Sequence, residues 1–378
     1  MNTNIITNVL NQRNLCILAF VGFLLGISGC RAIYNFPEEK EFLSTNISYA
    51  TKYFEPVLGR TSYMGALNAD NSSHPMTFEI VNARFGDGRP CTDLFQVKPV
   101  YVWKEIYTAR EKSLAEIEAK RNVEQRPIFE VDASGRFILW NSSSNENVTP
   151  RAKDSVDLTQ NRRFFDLKIS NSGGSVILKD FTVIPWRVRD YEPSSDINPY
   201  TGDVAPDPKE PKNPRKRDYI RPSEMTELYG QVSNKKLVTN DDLKDLVVYI
   251  RRFEGGNGNN LRFVFWDKNG MPINPDNFNE TKWNKLVHGF NMVKTNTYVQ
   301  YDVAYPVPLS NNDSSREPSF NSEYTSGENA RVRFAYTRKG FGGNIILARF
   351  GLDFKIFTKG DWEIIFHFRN DNPRFDNE

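Results

Sequence analysis

Along the C-terminal part of the chain, apolar and polar residues trade places one for one. Trp362, Ile364, Phe366 and Phe368 alternate with Glu363, Ile365, His367 and Arg369, and Val332, Phe334 and Tyr336 alternate with Arg331, Arg333, Ala335 and Thr337. Successive side chains of a strand point to opposite faces, so this period of two predicts half-buried antiparallel strands. Further strands are expected over 245–253, 261–266 and 345–357. Tight turns are expected at Asp267-Lys268-Asn269-Gly270 and over Phe357 to Asp361. The N-terminal part repeats the style, with strands expected over 76–85, 128–131, 136–140, 164–169 and 175–186 and a hairpin turn at Asp132-Ala133-Ser134-Gly135. One helix interrupts. Ser113 and Glu116 form a Ser-x-x-Glu capping box ahead of good helix formers that run to Arg121.

Between these two stretches the alternation stops. Residues 191–225 carry seven prolines among many charges and show no apolar periodicity, which reads as a linker stiffened by extended proline conformations. The fold class predicted is mainly β: two antiparallel, immunoglobulin-like β-sandwiches over 61–190 and 226–378, with one short helix and the Pro-rich linker between them.

The first 29 residues belong to another category. An apolar run from Leu15 to Ile27 follows a polar start whose one cation is Arg13, which has the length and position of a signal-peptide core. A spanning helix needs ~20 apolar residues, and this run ends sooner, at Ser28-Gly29-Cys30. Ile27-Ser28-Gly29-Cys30 has the form of a lipobox, so residues 1–29 are expected to be removed, Cys30 to carry lipid, and residues 30–60 to serve as a tether. Several acyl chains on one cysteine hold a protein on a membrane almost permanently. Cleavage removes Arg13 and no acid, so the formal net charge falls from +2 to +1. Near-neutrality argues against nucleic acid as a partner. Of the three cysteines, Cys16 leaves and Cys30 is consumed, so Cys91 stands alone, and the folded part must be held by its core without a disulfide. Cys91 itself is expected to be a small buried hydrophobe.

Catalytic chemistry leaves little trace. His74, His288 and His367 are the three histidines, and none stands at metal-ligand spacing, so no metal and no cofactor are expected. Gly255-Gly256-Asn257-Gly258 precedes Asn259-Asn260 and reads as hairpin-loop chemistry. Asp267-Lys268-Asn269-Gly270, with Asp276 downstream, lacks the alternating acids of a calcium loop and reads as a turn. No catalytic residues are assigned, although two facing carboxylates suffice for a glycosidase and spacing cannot reveal them. His288, followed by the permissive Gly289, is the histidine singled out as special, against a plain role as a hydrogen-bonded core residue.

Ligand recognition would fall to aromatic residues, which make up 13% of the chain. Flat rings suit the C–H faces of sugars. Trp266 and Trp362 lie in alternating strands and are expected in cores. Trp140 before Asn141-Ser142-Ser143-Ser144, and Trp283 after Asn279-Glu280-Thr281-Lys282, lie beside polar loops and are the expected surface platforms.

Specific strings carry a family resemblance. They include Leu58-Gly59-Arg60-Thr61-Ser62, Val102-Trp103-Lys104 with Tyr107-Thr108, Glu111 to Arg121, Val287-His288-Gly289-Phe290-Asn291, Tyr301-Asp302-Val303-Ala304-Tyr305-Pro306 and Gly360-Asp361-Trp362-Glu363-Ile364. Together they resemble the Bacteroidota lipoproteins grouped as domain of unknown function 5007. The resemblance implies no catalytic residues. It implies a context: an outer-membrane lipoprotein, displayed at the surface, beside TonB-dependent importers and their lipoprotein lids. It also brings Asp154-Ser155-Val156 into view, which is similar to the acceptor pattern for O-glycosylation at Ser155 in that phylum. The function expected first is an accessory that binds a glycan or peptide for such an uptake system. A structural or assembly lipoprotein without a small ligand is the alternative, and a lipoprotein hydrolase the third.

Overall fold

A computed structural model describes residues 41–151, 162–193, 198, 203, 219–240, 242–309, 324–326 and 328–375. The lipobox with Cys30, and Ser155, lie outside the described residues. In chain order the N-terminal strands are β1 (Ser48–Tyr49), β2 (Tyr53–Phe54), β3 (Ser62–Met64), β4 (Leu67–Asn68), β5 (Thr77–Phe85) and β6 (Val97–Trp103). After helix α1 (Leu114–Ala119) come β7 (Arg121–Pro127), β8 (Phe129–Val131), β9 (Phe137–Leu139), β10 (Arg163–Asn171), β11 (Gly174–Val183) and β12 (Tyr191–Glu192). The C-terminal strands are β13 (Glu224–Thr226), β14 (Leu246–Arg252), β15 (Asn260–Trp266), β16 (Gly289–Lys294), β17 (Tyr298–Val303), β18 (Thr325–Ser326), β19 (Asn329–Lys339), β20 (Ile345–Ile356) and β21 (Trp362–Phe368). The protein is therefore mainly β, with one α-helix among the described residues.

Two cores organise these strands. The first lies between the sheet β2-β11-β10-β5 and the smaller sheet β3-β9-β8. Phe129, Phe137, Phe165 and Phe181 are fully buried in it, and Phe137 meets the other three at ring-centroid distances of 5.2 to 5.8 Å. The second lies between the sheet β14-β21-β15-β17-β16 and the sheet β12-β20-β19-β18, to which β13 adds at β20. There Phe265 stands 4.4 Å from Phe278 and 4.8 Å from Phe334. Tilted and edge-on ring pairs of this kind stabilise beyond the area they bury.

The alternation of β19 and β21 is what builds the second core. Val332, Phe334 and Tyr336 on one side and Trp362, Ile364, Phe366 and Phe368 on the other are all buried in it. Two parallel pairs, β2 with β11 and β15 with β21, depart from the antiparallel arrangement expected throughout. The second has a cause in topology: β21 enters between β14 and β15, so residues 253–259 bridge over it rather than closing a hairpin. Asp361 holds that bridge, its Oδ1 accepting from the amides of Gly258 at 2.8 Å and Asn260 at 3.1 Å.

The turns at 132–135 and 267–270 form as expected. Asp132 and Asp267 each accept from backbone amides two and four residues on, and Gly135 and Gly270 take the positive φ that closes the turn. At the helix, Ser113 Oγ accepts from the Glu116 amide at 3.1 Å, while the Glu116 carboxylate reaches past Ser113 to the Lys112 amide at 2.7 Å. The helix stops at Ala119 because Arg121 opens β7, antiparallel to β6. Two boundaries also move. Ile47, Tyr49, Phe54 and Leu58, expected in a tether, are buried in the first core. Tyr191 and Glu192, expected in the linker, pair with Ile356 and Lys355 of β20.

Candidate functional site

The N-terminal and C-terminal parts meet where α1 and the loop before it press against β17, β18 and the 286–288 turn. Tyr107, Ala109 and Ile117 pack there with Ala304 and Leu309. His288 is the centre of the contact. Its Nδ1 lies 2.6 Å from the Tyr107 hydroxyl, and its Nε2 lies 2.9 Å from the Glu111 carbonyl oxygen. A carbonyl can only accept, so Nε2 carries the hydrogen and donates, which leaves Nδ1 of the neutral ring to accept from Tyr107. Burial first, then the charge of Glu111, pushes the Tyr107 phenol above its ordinary range, so it remains protonated and able to donate. The imidazole also stacks on Tyr324, with centroids 5.6 Å apart, and meets Phe290 edge-on at 5.1 Å. His288 is thus a hydrogen-bonded packing residue whose hydrogen-bond partners lie in the other part of the chain, while its ring contacts Tyr324 and Phe290 lie in its own.

Glu111 fixes the loop that carries this contact. One carboxylate oxygen accepts from the Thr108 amide and hydroxyl, both at 3.0 Å, and from Lys120; the other accepts from the Arg110 amide at 3.0 Å. Burial works to raise its pKa, but Lys120 and the amides outweigh that and hold it at about 2. A carboxylate so committed is unsuited to general acid–base work near neutrality. The crevice between Tyr107, Ile117, His288, Val307 and Tyr324 has about 30 Å³ of free volume, room for about one water molecule. Geometry and electrostatics together describe a fastener between two parts of the protein. Among the described residues, no three His, Cys, Asp or Glu side chains gather closely enough to hold a metal ion.

The remaining expected residues scatter. Trp140 is buried, not a surface platform: its indole donates to Glu130 at 2.8 Å and it packs with Val100 and Ile138. The cause is the ribbon β6–β7, which the alternation did not reveal and which covers it. Trp283 is half-buried, its ring against Phe265 and Phe334 and beneath Lys294. Trp266, expected in a core, is half-exposed, because Leu261, Phe263 and Phe265 take the inward parity of β15 and residue 266 falls on the other. Cys91 is buried, and burial together with the neighbouring Asp93 raises its thiol to about 12, which makes it unreactive. Tyr107, Glu111 and Tyr324 were not singled out by their spacing; a lone acid just ahead of a capping box was the signal available for Glu111.

Fold and site define a mainly β protein with two cores fastened through a histidine. The chain belongs to a family described as domain of unknown function (DUF5007), whose model matches residues 67–377. No curated protein and no solved structure matches the chain.

Proposed function

We propose that this protein is a lipid-anchored accessory of a Bacteroidota outer-membrane uptake system, acting through contact with a TonB-dependent importer or its lipoprotein lid. The observation that carries this is the ribbon β6–β7. Among the described residues it joins no larger sheet, and its inner side is used by Val100 and Val102 against Ile138 and Trp140. Its outer side presents Val97 at 58% exposure, Tyr101 at 50% and Val123 at 60%, beside exposed Pro99. Tyr101 and Val123 are directly opposed in the ladder. Contiguous exposed apolar residues on a two-stranded ribbon mark a surface that gains by being covered. The lipobox at residues 27–30 supplies the address, since an anchored protein meets its partner in two dimensions.

The test places a photo-crosslinking residue at Val123 of the native chain in its own membrane, with a second at exposed Met271 as comparison. Cross-linking to a TonB-dependent channel or its lid from position 123 and not from 271 is the expected result. Equal capture from both positions, or membrane retention left unchanged by Cys30→Ala, contradicts the proposal.

A further inference from the structure

The outward side of the β14-β21-β15-β17 ladder is a second surface, remote in composition from the ribbon. Residues 246, 248 and 250 of β14, 362, 364, 366 and 368 of β21, 261, 263 and 265 of β15, and 299, 301 and 303 of β17 all enter the core. The alternate residues therefore face away from it. Among these, Val247, Ile365 and Val264 are buried although they point outward. The register explains it: Ile365 stands opposite Tyr249 on one side and Val264 on the other, Val264 stands opposite Tyr298, and His367 stands between Val247 and Trp266. The aliphatics form a floor among aromatic rings, and Tyr249, Trp266, His367 and Tyr298 keep partial exposure above it. Trp266, His367 and Tyr249 form one cluster with centroids 5.7 to 6.5 Å apart.

Planar hydrogen-bonding groups run beside the rings. Arg251 pairs with Glu363 at 2.6 Å and lies over Trp266, while Arg262 is held between the rings of Phe253 and Tyr298 and donates to Gln300 at 2.9 Å. Aromatic faces flanked by amide, guanidinium and carboxylate groups match a pyranose, which has an apolar C–H face and a rim of hydroxyls. By the same parity Asp302 of β17 also faces outward, so Arg251 and Arg262 are balanced by Glu363 and Asp302 and the surface favours no ionic ligand. Peptide capture by strand addition is closed to it, because β21, β15 and β17 already have a neighbour on both sides.

We propose that this face binds a neutral polysaccharide, with Trp266 and Tyr249 as the stacking residues and Arg251, held in place by buried Glu363, and Gln300 as partners for hydroxyls. It deepens the accessory role proposed above, on which its biological context rests, while the binding itself is tested apart from any importer. The full chain carrying Cys30→Ala is run in native gels containing xylan, laminarin, mannan or amylopectin, with polygalacturonate as the charged comparison. At least one neutral polysaccharide is expected to slow it. Trp266→Ala and Tyr249→Ala are each expected to weaken that retardation by roughly three- to tenfold, the range for loss of one stacked ring. Trp186→Ala, a half-buried tryptophan elsewhere, leaves it unchanged. Arg251→Ala, whose side chain is 55% exposed, keeps the test decisive should a ring variant misfold. Absence of retardation by all four neutral polymers, ring variants and Arg251→Ala that are all retarded as strongly as the parent chain, or retardation by polygalacturonate alone overturns the proposal. Loss of sugar binding with intact cross-linking from Val123 would sink this site and leave the accessory role; the reverse would sink the role and leave the site.

Discussion

Removing the Tyr107 hydroxyl tests whether His288 fastens the two parts of the chain. Tyr107→Phe keeps the ring and its stacking on Trp103 at 5.8 Å but takes away the donor 2.6 Å from His288 Nδ1. The imidazole cannot turn the loss to advantage, because Nε2 is already committed to the Glu111 carbonyl. A part-buried acceptor is left unmet, at a cost of about 1–3 kcal/mol. His288→Ala loses the same bond from the other side, together with the bond to Glu111 and the contacts with Tyr324 and Phe290. Residues in direct contact couple by about 0.5–3 kcal/mol, whereas independent sites add to within about 0.5 kcal/mol. The double variant should therefore cost less than the sum of the two single variants by about 1–2 kcal/mol. Urea unfolding of the four chains, followed by tryptophan fluorescence and circular dichroism, measures this. With the fastener broken, the transitions of the two cores are expected to separate, which a fall in the apparent slope would report. Additive single effects with one unbroken transition would refute the assignment.

Four other outcomes are expected. Phe265→Ala, which empties the centre of the second core, should destabilise the protein by about 3–5 kcal/mol in the same unfolding assay. Glu111 has its pKa lowered from 4.5 to about 2, so its contribution is complete above 4.5 and lost as pH falls toward 2; Glu111→Gln should flatten stability across that window. Burial, then the charge of Arg369, depresses His367 below its ordinary 6.5, so the folded state resists protonation and stability declines as pH drops below 6.5; His367→Gln should remove that slope in acid titrations. Cys91 should resist iodoacetamide at pH 8 in the native protein and react fully in urea, as mass spectrometry would show.

The long strands were legible because each carries enough alternation to declare its inward face. β5, β10, β11, β14, β15, β19, β20 and β21 all fall where expected. The ribbon β6–β7 was not legible. Its outward positions Val97, Tyr101 and Val123 are as apolar as inward Val100 and Val102, so period two gives no contrast. Missing the ribbon also misplaced Trp140, whose polar sequence neighbours say nothing about a strand arriving from forty residues upstream. Trp266 departs from its expected place for a simpler reason: within 261–266 its parity is opposite to that of Leu261, Phe263 and Phe265, and parity outweighs size in deciding which face a strand residue takes. His288 stood out from its local setting, but its partners Tyr107 and Glu111 lie 181 and 177 positions away, a distance that no spacing rule spans.

The burial of residues 47–58 bears on how far this molecule can travel. Glu41 already donates its amide to the Ser172 hydroxyl, so the folded body includes residue 41 and does not wait until residue 60. If the chain is held at Cys30 as proposed, Glu41 follows eleven positions later, and that length of chain can span at most about 40 Å. A leash running to residue 60 would have reached about 100 Å. Under the anchoring proposed above, the shorter span would keep the body close above the lipid headgroups, where a partner must come alongside rather than be fished for at a distance.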